Sequence, residues 1–169
     1  MIFNLFKSKP TLKELIPEGF VDIHSHILPG IDDGAKNINE SLSLIDSMEK
    51  LGFTKIIGTP HVFEGLYNNS KESIKKSYEL LVKSYKGKNK IDFAAEYLLD
   101  KSLIRKAQQN ELICIKDNLV LVEMSYISMP LNLYEILYEI NVNGYKPVLE
   151  HPERYLFLHD KDRYKEYYK

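Results

Sequence analysis

Cysteine is nearly missing from this chain, since its 169 residues contain only one, Cys114. A single cysteine excludes an intrachain disulfide and a two-cysteine redox motif, and it suits a reducing compartment such as the cytoplasm. An excess of one charge is missing as well, because 23 lysines and arginines face 24 aspartates and glutamates, giving a net charge of −1. Without a polycationic surface to hold phosphate backbones, we expect no nucleic-acid partner.

Long hydrophobic runs and several familiar catalytic motifs are also lacking. Residues 1–7 are too short and too broken an apolar segment for a signal peptide or a membrane span. We therefore expect residues 1–19 to form a short N-terminal arm packed on its own domain, with contact to a membrane or a partner as the alternative, and a chain not integral to a membrane. The sequence has no glycine-rich phosphate loop and no Gly-x-Ser-x-Gly elbow. A cysteine-nucleophile phosphatase is excluded because Val120, not arginine, lies six positions after Cys114.

The chain does have a recurrent pattern in which an apolar, strand-like run ends in a histidine or a carboxylate. Five such runs are followed by a metal-ligating residue type: 20–23 before His24, 55–60 before His61, 91–95 before Glu96, 118–122 before Glu123, and 146–150 before His151. In parallel α/β sheets the carboxyl ends of all strands lie on one face, where such proteins carry their chemistry. The recurrence therefore predicts a metal cluster on that face.

Helical patterns separate the apolar runs. Asn37 and Glu40 have the spacing of a capping box, and Gly52 stands where the same helix should end. Further helices are predicted over 70–85, 99–109, 131–142 and 160–169. Strands separated by helices predict parallel pairing with right-handed crossovers, so we expect an α/β domain of about five βα units. The last helical pattern lacks a stop residue, and we expect the chain to be an incomplete copy of a longer domain.

The first run leads into a His-x-His pair, His24 and His26, whose side chains share one side of an extended segment and can hold one ion. Asp32 and Asp33 follow in a loop, and either carboxylate could complete such a site. Two neighbouring acids do not both point inward easily, and Asp33 is favoured. Glu96 and Glu123 follow apolar strands, where a carboxylate is costly to bury unless it is paired or bound to metal. The alternative role for either residue is to cap the next helix.

Arg154 lies three residues after His151 and is the natural group for binding a phosphate, because its planar fork donates two parallel hydrogen bonds. The alternative is an ion pair with Glu153 or Glu150.

These segments, taken together, resemble a known superfamily. The matching motifs are Val21 to Gly34 (VDIHSHILPGIDDG), Gly58 to His61, Ala95-Glu96, Val122 to Ser125, and Glu150 to Tyr155. They follow the order of the PHP (polymerase and histidinol phosphatase) superfamily, and they are most similar to the manganese-dependent tyrosine phosphatases of bacterial capsule and exopolysaccharide gene clusters. The resemblance extends from about residue 20 to the end of the chain.

The resemblance implies a distorted (β/α)7 barrel with up to three Mn²⁺ ions, of which residues 20–169 would supply the N-terminal portion without the last strands. Fe or Zn would also suit such ligands. The metal ligands carried over are His24, His26, Asp33, His61, Glu96, Glu123 and His151, and Arg154 would bind the substrate phosphate. The late Asp-x-His pair of the superfamily does not occur after His151 in this sequence, which agrees with the expected truncation.

The implied activity is metal-dependent hydrolysis of phosphotyrosine in a cytoplasmic protein, regulating capsular or exopolysaccharide synthesis. The implied partner is a tyrosine kinase of the capsule system, and a homo-oligomer is possible. Two alternatives stay open at this point. One is a PHP phosphoesterase for a small phosphomonoester such as histidinol phosphate. The other is a catalytically inactive, truncated remnant.

Overall fold

The structure, a computed structural model, describes residues 9–17 and 19–159. The helical pattern at 160–169 and the aromatic segment 1–7 lie outside the described residues. The described part is an α/β fold, as the sequence predicts. It has seven short strands, β1 to β7: Val21–Ser25, Lys55–Gly58, His61–Val62, Lys90–Phe93, Glu96–Leu98, Leu119–Glu123 and Lys146–Leu149. It has five α-helices, α1 to α5: Leu12–Leu15, Ile38–Leu51, Lys71–Ser84, Lys101–Gln108 and Leu133–Val142.

The strands form two parallel sheets. The first has the order β1-β2-β4 and the second the order β3-β5-β6-β7. Every ladder between neighbouring strands is parallel, as strands joined through helices require. Two short 3₁₀ turns, Pro152–Arg154 and Leu156–Leu158, follow the last strand.

The sequence predicted five strands, and two of them are each followed by a further short strand. β2 ends at Gly58 and β3 begins at His61, and β4 ends at Phe93 and β5 begins at Glu96. Pro60 has no N–H to donate to a ladder, which disfavours continuing β2, a strand with neighbours on both sides, through this residue. The Thr59 N–H still donates to the Ser25 carbonyl at 2.7 Å, whereas the Pro60 carbonyl already accepts from the Glu96 N–H at 3.0 Å. The chain thus leaves one sheet and enters the other at this point.

Helix α2 begins and ends where its capping signals predict. The Asn37 side chain accepts hydrogen bonds from the N–H groups of Asn39 and Glu40, and Gly52 ends the helix with a φ of 108°, a left-handed conformation that glycine adopts without strain. The Glu40 carboxylate accepts from the Lys36 N–H at 2.9 Å. The N-terminal cap fixes where the preceding loop, which carries Asp32 and Asp33, ends and the helix begins.

A continuous apolar core lies between the sheets and the helices. Its members include Ile45 of α2, Leu81 of α3, Leu103 of α4 and Ile136 of α5, all fully or almost fully buried. Cys114 is half-buried against this core, as expected for a packing residue. None of the described helices has the length and apolar character needed to cross a bilayer.

Candidate metal centre

Glu96 occupies the centre of the predicted cluster. It is the first residue of β5, and its side chain is completely buried. Its Oε2 atom lies close to one ring nitrogen of each of three histidines, 3.0 Å from His24 Nε2, 3.4 Å from His26 Nε2 and 3.2 Å from His61 Nδ1. Burial raises the pKa of the Glu96 carboxyl, but the three imidazoles lower it more, so the pKa falls well below its ordinary value.

The two histidines of the His-x-His pair face Glu96 together. His24 lies in β1 and His26 follows it by two residues, so both rings project to one side of the extended chain. Burial lowers the pKa of each imidazole, but hydrogen bonds to carboxylates outweigh burial and raise both pKa values to about 9. In the described structure these rings are therefore held by negative charge on both edges.

A second carboxylate stands behind each of these imidazoles. Glu150 Oε2 lies 2.6 Å from His24 Nδ1, and Asp32 Oδ2 lies 2.7 Å from His26 Nδ1. Asp32 also accepts hydrogen bonds from the N–H groups of His61 and Gly34, at 3.1 and 2.9 Å. A carboxylate that accepts from one ring nitrogen fixes the tautomer and orientation of the ring, leaving the other nitrogen to bind a metal.

His61, the first residue of β3, links the cluster to the fourth carboxylate, Glu123, at the end of β6. His61 Nδ1 lies 3.1 Å from Glu123 Oε1 and 3.2 Å from Glu96 Oε2, yet neither oxygen is aligned with the ring for a hydrogen bond. Burial lowers the pKa of His61, but Glu123 and Glu96 raise it to about 10. On its other edge, His61 Nε2 lies 3.4 Å from Asp33 Oδ1, whose side chain is largely exposed.

The donor atoms of this cluster fit a divalent metal ion. Three sets of side chains bring one donor atom each within 4.8 Å of one another: His24, His26 and Glu96; His26, Asp33 and His61; and His61, Glu96 and Glu123. Glu96 Oε1 and Glu123 Oε1 are buried and have no hydrogen-bond partner in the part of the chain that the structure describes. Buried carboxylate oxygens left in this state are costly, and a cation would satisfy them.

His151 and Arg154 lie beside this cluster. His151 follows β7 in a left-handed conformation with a φ of 47°, and its ring centroid is 4.6 Å from that of His24. Within the described residues it belongs to none of the three donor sets. Burial lowers its pKa, and the neighbouring His24 and Arg154 lower it further. Arg154 is exposed, and its Nη1 donates to the Tyr126 hydroxyl at 3.3 Å.

One open cavity of about 590 Å³ collects these groups. Imidazoles and carboxylates of the cluster form part of its lining, together with Arg154 and four apolar or aromatic side chains, Phe63, Leu66, Tyr67 and Tyr126. The Tyr126 hydroxyl donates to Glu123 Oε2 at 3.3 Å, so it bridges the guanidinium and a carboxylate of the cluster. The lining of the cavity thus combines a cluster suited to binding cations, the guanidinium of Arg154 and several aromatic side chains.

The sequence predicts seven candidate ligands, of which the structure brings six together, but it assigns no role to the groups that orient them. Asp32 was the less favoured of two neighbouring acids, and the structure buries it behind His26, whereas Asp33 reaches His61. From the sequence, Glu150 is expected only as an alternative partner for Arg154, whereas in the structure it contacts His24. Tyr126 carried no motif signal. The one available signal for Asp32 was its place next to Asp33 in the loop after the His-x-His pair.

Comparisons with known proteins show which proteins this chain is similar to. A family model described as "Capsular polysaccharide synthesis, CpsB/CapC" matches residues 20–168. The putative tyrosine-protein phosphatase CapC of Staphylococcus aureus is 33% identical over 138 residues, which cover 79% of this chain and 54% of the relative. The tyrosine-protein phosphatase CpsB of Streptococcus agalactiae is 30% identical over 152 residues, which cover 86% of this chain and 62% of the relative.

A solved structure also matches this chain. It comes from crystal structures of YwqE from Bacillus subtilis and CpsB from Streptococcus pneumoniae, two proteins described there as unique metal-dependent tyrosine phosphatases. The TM-score is 0.75 at 26% sequence identity, and the match covers 82% of this chain and 58% of the other. The chain therefore spans 54% to 62% of the length of these relatives.

Proposed function

Since the chain belongs to the capsular polysaccharide synthesis CpsB/CapC family, we propose that it takes part in metal-dependent hydrolysis of phosphotyrosine in proteins, as a regulator of capsular or exopolysaccharide synthesis. In this proposal residues 20–169 belong to a PHP-type domain built as a distorted (β/α)7 barrel, and residues 1–19 form an N-terminal arm. The names of the relatives favour phosphotyrosine over a small phosphomonoester such as histidinol phosphate.

A single observation carries the proposal. The fully buried Glu96 contacts three imidazoles. One carboxylate oxygen of Glu96 and one of Glu123 have no hydrogen-bond partner within the described structure. Arg154 lines the cavity beside this cluster. Cation-binding groups and a phosphate-binding group thus lie beside one space, which is the arrangement that metal-assisted hydrolysis of a phosphate ester uses.

The proposed metal ligands are His24, His26, Asp33, His61, Glu96, Glu123 and His151, with Mn²⁺ as the expected metal and up to three ions. Iron or zinc would be compatible with the same mixture of imidazoles and carboxylates. Bound ions of this kind supply a nucleophilic water at neutral pH and neutralise phosphoryl oxygens. The donor groups that the structure already brings together support six of these assignments directly, whereas His151 is included because it lines the same cavity.

The side chains around the cluster have separate tasks in this proposal. Arg154 binds the phosphoryl oxygens of the substrate through its guanidinium fork, which suits phosphate geometry. Tyr126 holds that guanidinium by accepting its hydrogen bond. Asp32 and Glu150 orient His26 and His24 through their Nδ1 atoms. The open cavity leaves room for a substrate side chain presented by another protein, and the proposed partner is a phosphorylated tyrosine kinase of the capsule system in the cytoplasm.

The test is a phosphatase assay of the Mn²⁺-loaded chain with a phosphotyrosine peptide and a phosphoserine peptide of the same sequence. We expect turnover of the phosphotyrosine peptide, and loss of both turnover and bound metal in Glu96→Gln. Glu79→Gln is the matched control, because Glu79 is an exposed residue of α3 that faces Lys75 rather than the cavity. A chain that binds no divalent metal, or a Glu96→Gln variant that keeps full turnover, would refute the proposal.

A further inference from the structure

A tight turn follows β3 and forms one border of the cavity. The Phe63 N–H donates to the Tyr67 carbonyl at 3.0 Å, and the Tyr67 N–H donates back to the Phe63 carbonyl at 2.9 Å. Gly65 occupies the tip with a φ of 90°, where glycine is free of the strain that a side chain brings. The two reciprocal bonds give residues 63–67 a defined shape.

The turn is fastened to the candidate metal centre. The Asn69 side-chain amide donates to the carbonyls of Ile31 and His61, at 3.0 and 2.8 Å. The Gly65 N–H donates to the Asn68 side chain at 2.8 Å. Because His61 is itself a proposed ligand, the position of the turn is fixed relative to the cluster.

The side chains of the turn face the cavity with an apolar surface. The ring of Phe63 lies with its centroid 4.4 Å from that of His61, and Tyr67 stacks on His61 at 5.3 Å with an interplanar angle of 18°. Leu66 also lines the cavity, although 69% of its surface is exposed. A leucine this exposed contributes little to the core, so its apolar surface is available to a ligand.

We propose that Phe63, Leu66 and Tyr67 form a binding surface for the aromatic ring of an aryl phosphate ester whose phosphoryl group lies at Arg154 and the metal cluster. The inference rests on the proposed function and assigns the side chains that contact the ring of the aryl ester and so determine specificity. An aryl ring covers the exposed Leu66 and packs against the aromatic side chains, which removes apolar area from water. A small alkyl ester leaves the same surface exposed and gains nothing from it.

The expected preference is measurable with two non-hydrolysable probes, phenylphosphonate and methylphosphonate, titrated by calorimetry into the Mn²⁺-loaded chain. Phosphonates separate recognition of the ring from the better leaving group of an aryl ester. We expect phenylphosphonate to bind about tenfold more tightly, equivalent to about 1.4 kcal/mol. Leu66→Ser should remove most of that preference while leaving methylphosphonate affinity unchanged, and Leu66→Phe should keep or increase it.

Leu80→Ser is the matched control, because Leu80 is an exposed leucine of α3 outside the cavity lining, and it should leave both affinities unchanged. If methylphosphonate binds as tightly as phenylphosphonate, or if Leu66→Ser keeps the full preference, the aryl-binding surface is refuted while the proposed function stands. If neither phosphonate binds and no phosphopeptide is hydrolysed, the proposed function fails and this inference fails with it.

Discussion

At the scale of single residues, two neighbouring aspartates take different positions. The Asp32 side chain is completely buried and accepts hydrogen bonds from His26, Gly34 and His61. The Asp33 side chain is mostly exposed and contacts His61 from the cavity. Burial raises the pKa of the Asp32 carboxyl, but these hydrogen bonds lower it more, so the net pKa is below its ordinary value. The two acids thus separate into an orienting group and a candidate ligand.

Asp32→Asn tests the orienting role. The amide keeps the size of the side chain but weakens the hold on His26 Nδ1, and losing such an outer partner lowers metal affinity by about 10- to 100-fold. Calorimetric titration with Mn²⁺ measures the effect. Asp46→Asn, on the exposed face of α2 and paired with Lys50, should bind metal as the unaltered chain does. Equal affinities in the two variants would rule out the orienting role.

Arg154→Lys tests the phosphate-binding group. Lysine keeps the charge but loses the two-pronged fork, so we expect affinity for inorganic phosphate, and turnover of phosphotyrosine peptide, to fall by about tenfold or more. Metal content, measured by elemental analysis, should stay the same because Arg154 carries no proposed ligand atom. Arg105→Lys is the control, since Arg105 pairs with Glu64 on the surface. Loss of metal without a loss of phosphate affinity would assign Arg154 a structural role instead.

At the scale of elements, the loop after β1 is packed so closely that one position admits no side chain. A Cβ on Gly34 would lie 2.3 Å from the His26 carbonyl oxygen and 2.4 Å from the His26 Cβ. Both are atoms that cannot move without shifting the chain that carries the candidate ligand. The β1–α2 loop therefore sets the place of His26 as well as that of the two aspartates.

Gly34→Ala should displace this loop. We expect the free energy of unfolding to fall by about 1–3 kcal/mol, as for other overpacked sites, and Mn²⁺ affinity to fall with it. Chemical denaturation and metal titration measure the two effects. Gly144→Ala provides the contrast, because its added Cβ meets open space and costs only the strain of a φ of 86°. A Gly34→Ala variant with unchanged metal affinity would show that the loop can relax without moving His26.

Helices and sites differ in how far the sequence predicts them. Asn37 and Gly52 mark the ends of α2 because capping is a local interaction between residues a few positions apart. Five of the seven candidate ligands could be proposed from the sequence because each directly follows an apolar run. The break at Thr59 and Pro60 was not predictable, since an extended residue before proline suits a continuing strand as well as a crossing between sheets. The partnership of Glu150 with His24 depends on tertiary structure that no local pattern encodes.

At the scale of the whole molecule, the cluster joins both sheets. His24 belongs to β1 of the first sheet, whereas Glu96 and Glu123 belong to β5 and β6 of the second. The chain crosses between the sheets three times, directly at 59–60 and at 94–95, and through α3 between β3 and β4. A cation bound by groups from both sheets would favour the folded state, because those groups are apart in the unfolded chain.

Metal should therefore stabilise the protein against heat. Mn²⁺ at about 100 times its dissociation constant adds about 2.7 kcal/mol, which corresponds to a rise in Tm of roughly 5–10 °C for a chain of this size. Differential scanning calorimetry with and without a chelator measures the change. Glu79→Gln should show the full rise and Glu96→Gln little of it. An unchanged Tm with Mn²⁺, Fe²⁺ and Zn²⁺ would contradict a metal site that joins the two sheets.

The distribution of the cluster along the chain has a consequence for synthesis. His24, His26 and the two aspartates of the following loop leave the ribosome early, whereas Glu96, Glu123 and Glu150 follow much later, and His151 is last of all. At roughly 5–20 residues per second this interval is on the order of ten seconds. A nascent chain therefore exposes histidines able to bind metal before it has the two buried glutamates, Glu96 and Glu123. Retention of a metal ion by the donor sets that contain these glutamates accordingly waits until β5 and β6 have been made.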